Sequence, residues 1–183
     1  MNEYAVKRAG GTTVVVLEGD FTRQPVEAVV NPTNEILQHN QGMATAIVRT
    51  GGRVIQEESN SWVLEHGPLD AGEAAVTTGG MLQASHVIHV IGPRYDRHDP
   101  NSHMLLAAAV RGALAAAKET GLRSVAMPAI STGRRRYPAR EAIPVIVDAA
   151  VEWLEEHPDA LGELILVAAS SQQAKLFAAA LDA

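Results

Sequence analysis

Hydrophobic residues in this chain form short apolar runs, separated by longer stretches that have one apolar face. The short runs predict β-strands, because they are rich in β-branched residues and are bounded by turn-forming residues. The longer stretches place apolar residues three and four positions apart, which is typical of amphipathic helices. The predicted strands cover residues 12–17, 28–30, 73–77, 86–91, 124–127 and 164–168. The predicted helices cover residues 44–49, 53–65, 104–118, 139–156 and 172–181.

The order of these elements predicts an α/β fold. Strands alternate with helices in the second half of the chain, which is typical of parallel strands joined by helical crossovers. The first strands follow one another without a helix between them, so we expect a mixed sheet. A chain of 183 residues can bury a large core. We therefore predict one domain over residues 1–183, a three-layer α/β/α sandwich around a central mixed, largely parallel β-sheet.

Composition narrows the functional classes. The formal net charge of −6 gives no general attraction to nucleic acid or to an anionic membrane, so any bound anion must be held locally. The absence of cysteine excludes disulfides, thiolate metal sites and a cysteine nucleophile. The sequence has neither a signal-peptide pattern nor an apolar run close to ~18 residues. We expect a monomeric cytoplasmic protein that contacts no membrane and needs no cofactor.

One polar segment contains side chains of the kind that ligate metals. It includes His98 and His103 together with Asp96 and Asp99. Their spacing matches no pair of ligands on one helix face, and the segment is rich in turn-forming residues. We therefore predict no metal site.

Two loops that follow buried strands carry residues suited to holding an anion. The first begins with Asn31 and Asn34 and continues to Gly42, just before a predicted helix. The second covers residues 129–133. Open α/β sheets bind ligands at the carboxyl ends of their strands, and a helix N-terminus there attracts negative charge. The pair of loops predicts a clamp for a phosphorylated ligand.

Five motifs in the right order give the chain a clear family resemblance. It resembles a macro domain, the module that binds ADP-ribose. The resemblance extends from Gly19 to the last predicted strand. The corresponding segments are Gly19-Asp20-Phe21-Thr22, Val30-Asn31-Pro32-Thr33-Asn34, Asn40 to Ala44, Gly72-Glu73-Ala74 together with Ile88-His89-Val90-Ile91-Gly92-Pro93 and, without any change, Pro128 to Gly133. No single motif is decisive, but their common order is very specific.

The resemblance implies roles at the adenine and at the distal ribose. Asp20 corresponds to the aspartate that accepts a hydrogen bond from the adenine amino group, and a carboxylate suits this role because it only accepts. Phe21 could offer its backbone N–H to the same ring. Asn34 corresponds to the asparagine that meets the distal ribose, where an amide can both donate and accept. We expect Asn31 to bond the backbone of its own loop instead.

The two loops correspond to the segments that hold the diphosphate in the family. Their small residues let backbone N–H groups approach the phosphates closely. The residues concerned are Gly42, Met43 and Ala44 in the first loop and Ser131, Thr132 and Gly133 in the second. The resemblance therefore implies free or protein-linked ADP-ribose as the ligand.

The first departure from the family's pattern bears on catalysis. The hydrolytic branch carries an aspartate at the position of Ala44, so this chain offers no carboxylate there to position or activate water. The resemblance still permits a mono-ADP-ribosyl hydrolase or an O-acetyl-ADP-ribose deacetylase, with Asn34 as the catalytic residue. We expect either activity to be low.

The second departure is a run of three arginines. Arg134, Arg135 and Arg136 stand where the family usually has two apolar residues and a glycine. They form either a solvated loop tip or a contact with the diphosphate or a polynucleotide, which makes RNA or poly(A) an alternative ligand. Because Arg136 replaces glycine, we expect the loop not to arch in the usual way if that position needs a positive φ.

The third departure concerns the adenine. The family often stacks an aromatic side chain on that ring just after the last strand, where residues 167–171 of this chain include no aromatic. Stacking contributes roughly 1–3 kcal/mol per base. We therefore expect weaker binding, or an adenine held between aliphatic side chains.

Overall fold

The computed structural model describes residues 2–183, which form a seven-stranded sheet with helices on both faces. The strands are β1 (Asn2–Ala9), β2 (Thr12–Glu18), β3 (Ala28–Pro32), β4 (Ala74–Thr78), β5 (His86–Val90), β6 (Ser124–Pro128) and β7 (Glu163–Ala168). The helices are α1 (Gly42–Gly51), α2 (Val54–His66), α3 (Ser102–Glu119), α4 (Ala139–Glu156) and α5 (Ser171–Asp182). None of the helices within residues 2–183 has the length and apolar character that crossing a membrane requires.

The sheet is mixed, as the element order predicts. Its strand order is β1-β2-β7-β6-β3-β5-β4. The five inner strands are parallel to one another, whereas the edge strands β1 and β4 are antiparallel to their neighbours. All five parallel strands therefore end at the same edge of the sheet, and the loops that follow them lie side by side.

Two hydrophobic layers cover the sheet, because successive side chains of a strand point to opposite faces. Val30 of β3 belongs to the layer formed with α3, α4 and α5, whereas the preceding Val29 belongs to the layer formed with α1 and α2. Both valines are fully buried, and most of their neighbours are aliphatic. The result is the three-layer α/β/α sandwich that the sequence pattern predicts.

The element prediction differed from the structure at one strand and at several element ends. The prediction missed β1, which lies at the edge of the sheet and exposes most of its side chains. Such a strand lacks the alternation of buried and exposed residues by which a strand is detected. In addition, α1 begins at Gly42 and not at the predicted Ala44. The helix over Ala139–Glu156 has the predicted bounds and continues through Pro144.

Candidate functional site

A cleft of about 1150 Å³ opens at the edge of the sheet where the parallel strands end. Its walls are formed by the loops that follow β2, β3, β5, β6 and β7, and by the first turn of α1. Every residue that the sequence predicts for the ligand site lines this cleft. These residues are Asp20, Phe21, Asn34, Gly42, Met43, Ala44, Ser131, Thr132, Gly133, Arg134 and Arg135.

The strand order determines which residues lie at opposite ends of the cleft. Asp20 follows β2 and Asn34 follows β3, and β7 and β6 lie between those two strands. Because neighbouring strands are ~4.8 Å apart, the ends of β2 and β3, which lead into these two residues, are separated by about 14 Å across the sheet. The loop at residues 129–133 follows β6 and therefore lies between them.

Asp20 is held rigidly at one end of the cleft by its own turn. Its Oδ1 accepts hydrogen bonds from the Thr22 hydroxyl at 2.7 Å and from the Thr22 backbone N–H at 2.9 Å. Its Oδ2 lies 3.4 Å from Arg23 Nε. The hydrogen bond from the Thr22 hydroxyl has the largest effect on the pKa of Asp20 and lowers it below the usual 3.8. The hydrogen bond from the Thr22 backbone N–H lowers it further. The carboxylate is therefore ionised, exposed and able only to accept hydrogen bonds.

The wall next to Asp20 is apolar. Phe21 is buried and packs with Val167 in the hydrophobic layer on the α1 side of the sheet. Ala169 and Gln173 complete this end of the cleft. Among residues 2–183, Phe21 is the only aromatic residue that lines the cleft. A planar ring bound here would therefore contact mainly aliphatic atoms and the Phe21 side chain.

Asn34 forms the loop-closing hydrogen bonds that the sequence analysis predicts for Asn31. Asn34, and not Asn31, closes its own loop: its Nδ2 donates to Gln38 O at 3.1 Å, and its Oδ1 accepts from Gln38 N at 3.0 Å. Asn31 is fully buried, and its Nδ2 lies 3.0 Å from His89 Nδ1. The prediction that Asn31 bonds the backbone of its own loop was wrong, because its side chain points across the sheet to β5.

A buried polar network lies behind this loop. His89 Nδ1 is 3.1 Å from His39 Nε2, and His89 Nε2 is 2.9 Å from Thr77 Oγ1. Burial lowers the pKa of His39, although its hydrogen bond to Gln56 partly opposes this effect. Burial is the main cause that lowers the pKa of His89 well below 6.5, and the electrostatic effect of the neighbouring His39 adds to it. Both rings are therefore neutral near pH 7, and His89 is the hydrogen-bonded core histidine that an apolar strand favours.

Gln56 fixes the tautomer of the neutral His39 ring. Gln56 Nε2 donates to Leu37 O at 3.0 Å and to Asn60 Oδ1 at 2.9 Å, so Gln56 Oε1 faces His39. This oxygen accepts from His39 N at 3.0 Å and lies 2.9 Å from His39 Nδ1. Nδ1 therefore carries the proton, and the unprotonated Nε2 faces His89. The network connects the sheet to the loop that leads into α1.

The first turn of α1 presents its backbone to the cleft. Gly42 begins the helix with a φ of 58°, a conformation that glycine adopts at little cost. The preceding residue, Gln41, makes no capping hydrogen bond with its side chain. The first N–H groups of a helix have no partner within the helix, and they lie at the positive end of its dipole. This end of α1 is therefore suited to an anion.

The second loop faces the first across the cleft. Ser131 has a φ of 68° and is buried, and its hydroxyl has no hydrogen-bond partner among residues 2–183. That hydroxyl packs against Gly92, where an added Cβ would lie only 2.1 Å from the Ser131 Oγ. The Thr132 hydroxyl donates to Ala129 O at 2.7 Å and so stabilises the turn itself. The space beside Gly133 is open, because an added Cβ there would meet no atom within 4 Å. A ligand can therefore approach the Gly133 backbone closely.

The three arginines of the second loop have different surroundings. Arg134 lies over the first loop, with its Cδ 3.9 Å from the position of a Cβ on Gly42. Arg135 Nη2 lies 3.4 Å from Thr33 O and 3.7 Å from Glu35 Oε1. Arg136 has a φ of 59°. The expectation that an arginine at this position keeps the loop from arching was wrong, because the residue adopts the left-handed conformation itself.

Some residues that line the cleft were missed at the level of the sequence. They include Gln41, Gly92, Arg94 and Gln173. Gly92 lies in a recognisable motif, but only the contact with Ser131 explains why glycine is required there. The others carry no local signal, because their place in the cleft depends on the strand order. Within residues 2–183, no three His, Asp or Glu side chains are grouped to hold a metal ion.

Comparison with known proteins shows the family of this chain. The model of the Macro domain family matches residues 30–146. An uncharacterized protein of Sulfolobus acidocaldarius is 39% identical over 178 residues, which is 97% of this chain and 95% of that protein. An uncharacterized protein of Thermotoga maritima is 42% identical over 168 residues. That match covers 91% of this chain but only 28% of the Thermotoga protein, so this chain spans less than a third of it.

The fold matches a solved structure over almost its whole length. An Oceanobacillus iheyensis macrodomain mutant with ADPR has a TM-score of 0.91 and 26% sequence identity to this chain. The match covers 97% of this chain and 96% of that one. Because the family model spans more than half of the sequence and a relative of nearly equal length is 39% identical, the chain belongs to the Macro domain family.

Proposed function

We propose that this chain binds ADP-ribose, free or attached to a macromolecule, in the cleft at the carboxyl ends of the parallel strands. The observation that carries this proposal is the position of the two loops around one cleft. Arg134 of the second loop lies directly over Gly42 of the first. Such a gap, bounded by backbone N–H groups and a guanidinium, suits a diphosphate.

The two ends of the cleft suit the two ends of the ligand. At one end, the ionised Asp20 accepts a hydrogen bond from the adenine amino group, and Phe21 and Val167 contact the ring. At the other end, Asn34 retains one N–H and one oxygen lone pair beyond those bonded to Gln38, so its amide can bind a ribose hydroxyl. The macrodomain structure solved with ADPR, which shares this fold, supports ADP-ribose as the ligand.

Titration calorimetry with ADP-ribose, ADP and AMP tests the proposal. We expect ADP-ribose to bind most tightly, because only ADP-ribose reaches both Asp20 and Asn34. ADP should bind more tightly than AMP, because it supplies the diphosphate for both loops. Equal affinity for AMP and ADP-ribose would contradict the proposed role of Asn34, and no binding of any of the three would contradict the proposal as a whole.

The charges in the cleft favour binding over efficient hydrolysis. Among residues 2–183, Asp20 is the only carboxylate that lines the cleft, and it follows β2, at the opposite end of the cleft from Asn34. Ala44 is buried and offers no acid or base. We therefore expect slow release, or none, when the protein is incubated with an ADP-ribosyltransferase that has modified its own acidic residues. Rapid release that persists in Asn34→Ala would contradict this assignment of the site.

A further inference from the structure

The two edge strands of the sheet differ in how they are protected against pairing with another chain. An edge strand leaves a row of backbone N–H and C=O groups unpaired, and proteins block such a row with charges, proline or an irregular register. Strand β1 carries the exposed Glu3, Lys7 and Arg8, and its register with β2 shifts between Glu3 and Ala5. Strand β4 has neither a charged residue nor a proline, and its register with β5 is regular. The edge at β4 therefore lacks the features that protect β1.

The hydrogen bonds at the end of β4 show which of its backbone groups point away from the sheet. The Thr78 N–H donates to Glu58 Oε2 at 2.7 Å, so it does not bond β5. The next amide, that of Gly79, donates to Ser85 O at 2.7 Å, on the β5 side. Because backbone groups alternate along an antiparallel strand, the N–H and C=O of Val76 point to the same side as the Thr78 N–H. No loop, helix or side chain within residues 2–183 bonds these two groups of Val76.

A groove of about 370 Å³ lies beside this unpaired edge. Val76 forms one side of the groove, and α2 forms the other. The lining residues of α2 recur three or four positions apart, which places them on one face of the helix. They are Val54, Glu57, Glu58, Ser61, Trp62 and Glu65. We refer to these residues and Val76 as the β4 groove. None of them lines the cleft at the carboxyl ends of the parallel strands.

The β4 groove is acidic. Its ionisable side chains are all carboxylates, those of Glu57, Glu58 and Glu65. Both oxygens of Glu58 already accept hydrogen bonds from Thr78, each at 2.7 Å. Glu57 has an exposed pairing with Arg53 at 3.0 Å, and such pairs contribute little. Glu65 is exposed and forms no ion pair within residues 2–183. Glu57 and Glu65 are therefore available to a cationic ligand.

Trp62 adds an aromatic surface to the groove. Its ring stacks on His66, with the ring centroids 4.5 Å apart and an angle of 16° between the planes. The side chain also packs on the hydrophobic cluster that contains Leu69 and Ala75, so its position is fixed before a ligand arrives. A guanidinium group packs favourably on such a ring, and so does the apolar stem of a lysine.

We infer that the β4 groove binds an extended, basic segment of a partner protein, which adds a strand to the sheet beside β4. The backbone of the segment pairs with the free N–H and C=O of Val76, because strand addition gains its affinity from main-chain hydrogen bonds. Alternate side chains of an extended segment face the same side. Lysine or arginine at every second position therefore faces α2, where it meets Glu57, Glu65 and the ring of Trp62.

A synthetic peptide tests this inference. The probe has about seven residues, a typical strand length, and arginine alternates with threonine along it. NMR of the isotope-labelled protein should show shifts of the amide signals of Val76 and of α2. Hydrogen exchange of the Val76 N–H should slow by at least about tenfold, because the group becomes hydrogen-bonded. The same peptide with its central amides N-methylated keeps its charges but cannot pair as a strand, and it should bind at least about tenfold more weakly.

Two double variants separate the groove from the general negative charge of the protein. Glu57→Gln with Glu65→Gln removes the two available carboxylates, and should weaken binding of the arginine peptide by at least about fivefold. Glu119→Gln with Glu155→Gln removes two exposed carboxylates at the ends of α3 and α4, outside the groove, and should weaken binding by less than about twofold. Fluorescence anisotropy of the labelled peptide measures both affinities, and thermal unfolding checks that both variants are folded.

A pair of substitutions at one position tests the backbone contact from the side of the protein. Val76→Pro removes the outward N–H without removing a hydrogen bond to β5, and should weaken peptide binding by at least about tenfold. Val76→Thr keeps this N–H and the preference for a strand, and should leave the affinity within about twofold of the original. The N-methylated peptide examines the same contact without any change to the fold of the protein.

Three results would each overturn the inference. The first is no binding of the arginine peptide at about 1 mM, the weak end of specific affinities. The second is equal binding of the N-methylated peptide, which would mean attraction by charge alone. The third is an equal loss in the two double variants. All of these measurements are made without ADP-ribose, so their outcome does not depend on the proposed function of the cleft.

Discussion

Both polar atoms of the Asn34 side-chain amide form hydrogen bonds to the backbone of a single residue, Gln38. The Asn34 Nδ2 donates to Gln38 O at 3.1 Å, and the Asn34 Oδ1 accepts from Gln38 N at 3.0 Å. The amide group therefore closes the loop that begins where β3 ends. It holds its own remaining N–H and lone pair in a fixed direction at one end of the cleft. In this protein the residue expected to meet the distal ribose also builds the loop that positions it.

Replacing this amide should affect both the loop and the ligand. Asn34→Ala removes two hydrogen bonds, which together contribute about 1–3 kcal/mol. We expect ADP-ribose affinity to fall at least tenfold, while AMP affinity changes little because AMP lacks the distal ribose. Calorimetry with both ligands measures the difference. An equal loss for AMP and ADP-ribose would mean that the substitution disrupts the whole cleft and does not act at the distal ribose.

Substitutions at two glycines with positive φ distinguish the effect of backbone strain on stability from the effect of a side chain in the cleft on ligand binding. Gly42 has a φ of 58° and lines the cleft, whereas Gly67 has a φ of 86° at the end of α2 and a Cβ there would meet no atom within 4 Å. Gly42→Ala should lower the free energy of unfolding by about 1–2 kcal/mol. Gly67→Ala should lower it by about 1–3 kcal/mol, because the Gly67 φ of 86° and ψ of −173° lie in a region that almost only glycine adopts. Only Gly42→Ala should weaken ADP-ribose binding, because only its methyl group enters the cleft. Denaturant unfolding and calorimetry on both variants provide the measurement.

The left-handed conformation of Arg136 predicts an unusual effect on stability. Arg136→Gly relieves the backbone strain of about 1–2 kcal/mol, and the greater freedom of glycine in the unfolded chain offsets about 0.4–1 kcal/mol of this gain. We therefore expect Arg136→Gly to raise the unfolding free energy. Arg134→Gly should lower it, because Arg134 has no positive φ to relieve. Unfolding curves in which both variants lose stability equally would show that Arg136 is not strained.

The buried histidines predict a loss of stability on the acid side of neutrality. The pKa values of His39 and His89 are lowered in the folded protein, so the unfolded chain takes up protons near pH 6.5 that the folded protein does not. The free energy of unfolding should therefore fall as the pH drops below about 6.5, by up to about 1.4 kcal/mol per pH unit for one such histidine. The contribution is fully present above that pH.

Denaturant unfolding between about pH 5 and 7.5 measures this slope. His89→Gln removes one of the two groups and should make the slope shallower, even where the variant is less stable at every pH. His98→Gln replaces an exposed histidine outside the network and serves as the matched control. An unaltered slope in His89→Gln would mean that His89 does not titrate differently in the folded and unfolded states.

Much of the fold and of the candidate site could be predicted from the sequence, because these features leave local patterns. The apolar run that ends at Val30 predicts a buried strand, and the glycine at position 42 predicts a close backbone approach. It could not be predicted that Asn34, and not Asn31, bonds the backbone of the loop. Asn31 lies near the end of β3 and Asn34 follows it, and the choice depends on His89 lying beside Asn31 in the register of β3 with β5.

The sequence by itself determined the type and order of the elements, because periodicity and turn chemistry are properties of neighbouring residues. It also determined which residue types follow the strands. Only the tertiary structure decided which of those loops face each other. In the sheet, β2 and β3 are separated by β7 and β6, two strands that come much later in the sequence. The same holds for the arginines that line the cleft and for the pair of His39 and His89. Their contacts depend on strand order and on long-range packing, which no local pattern encodes.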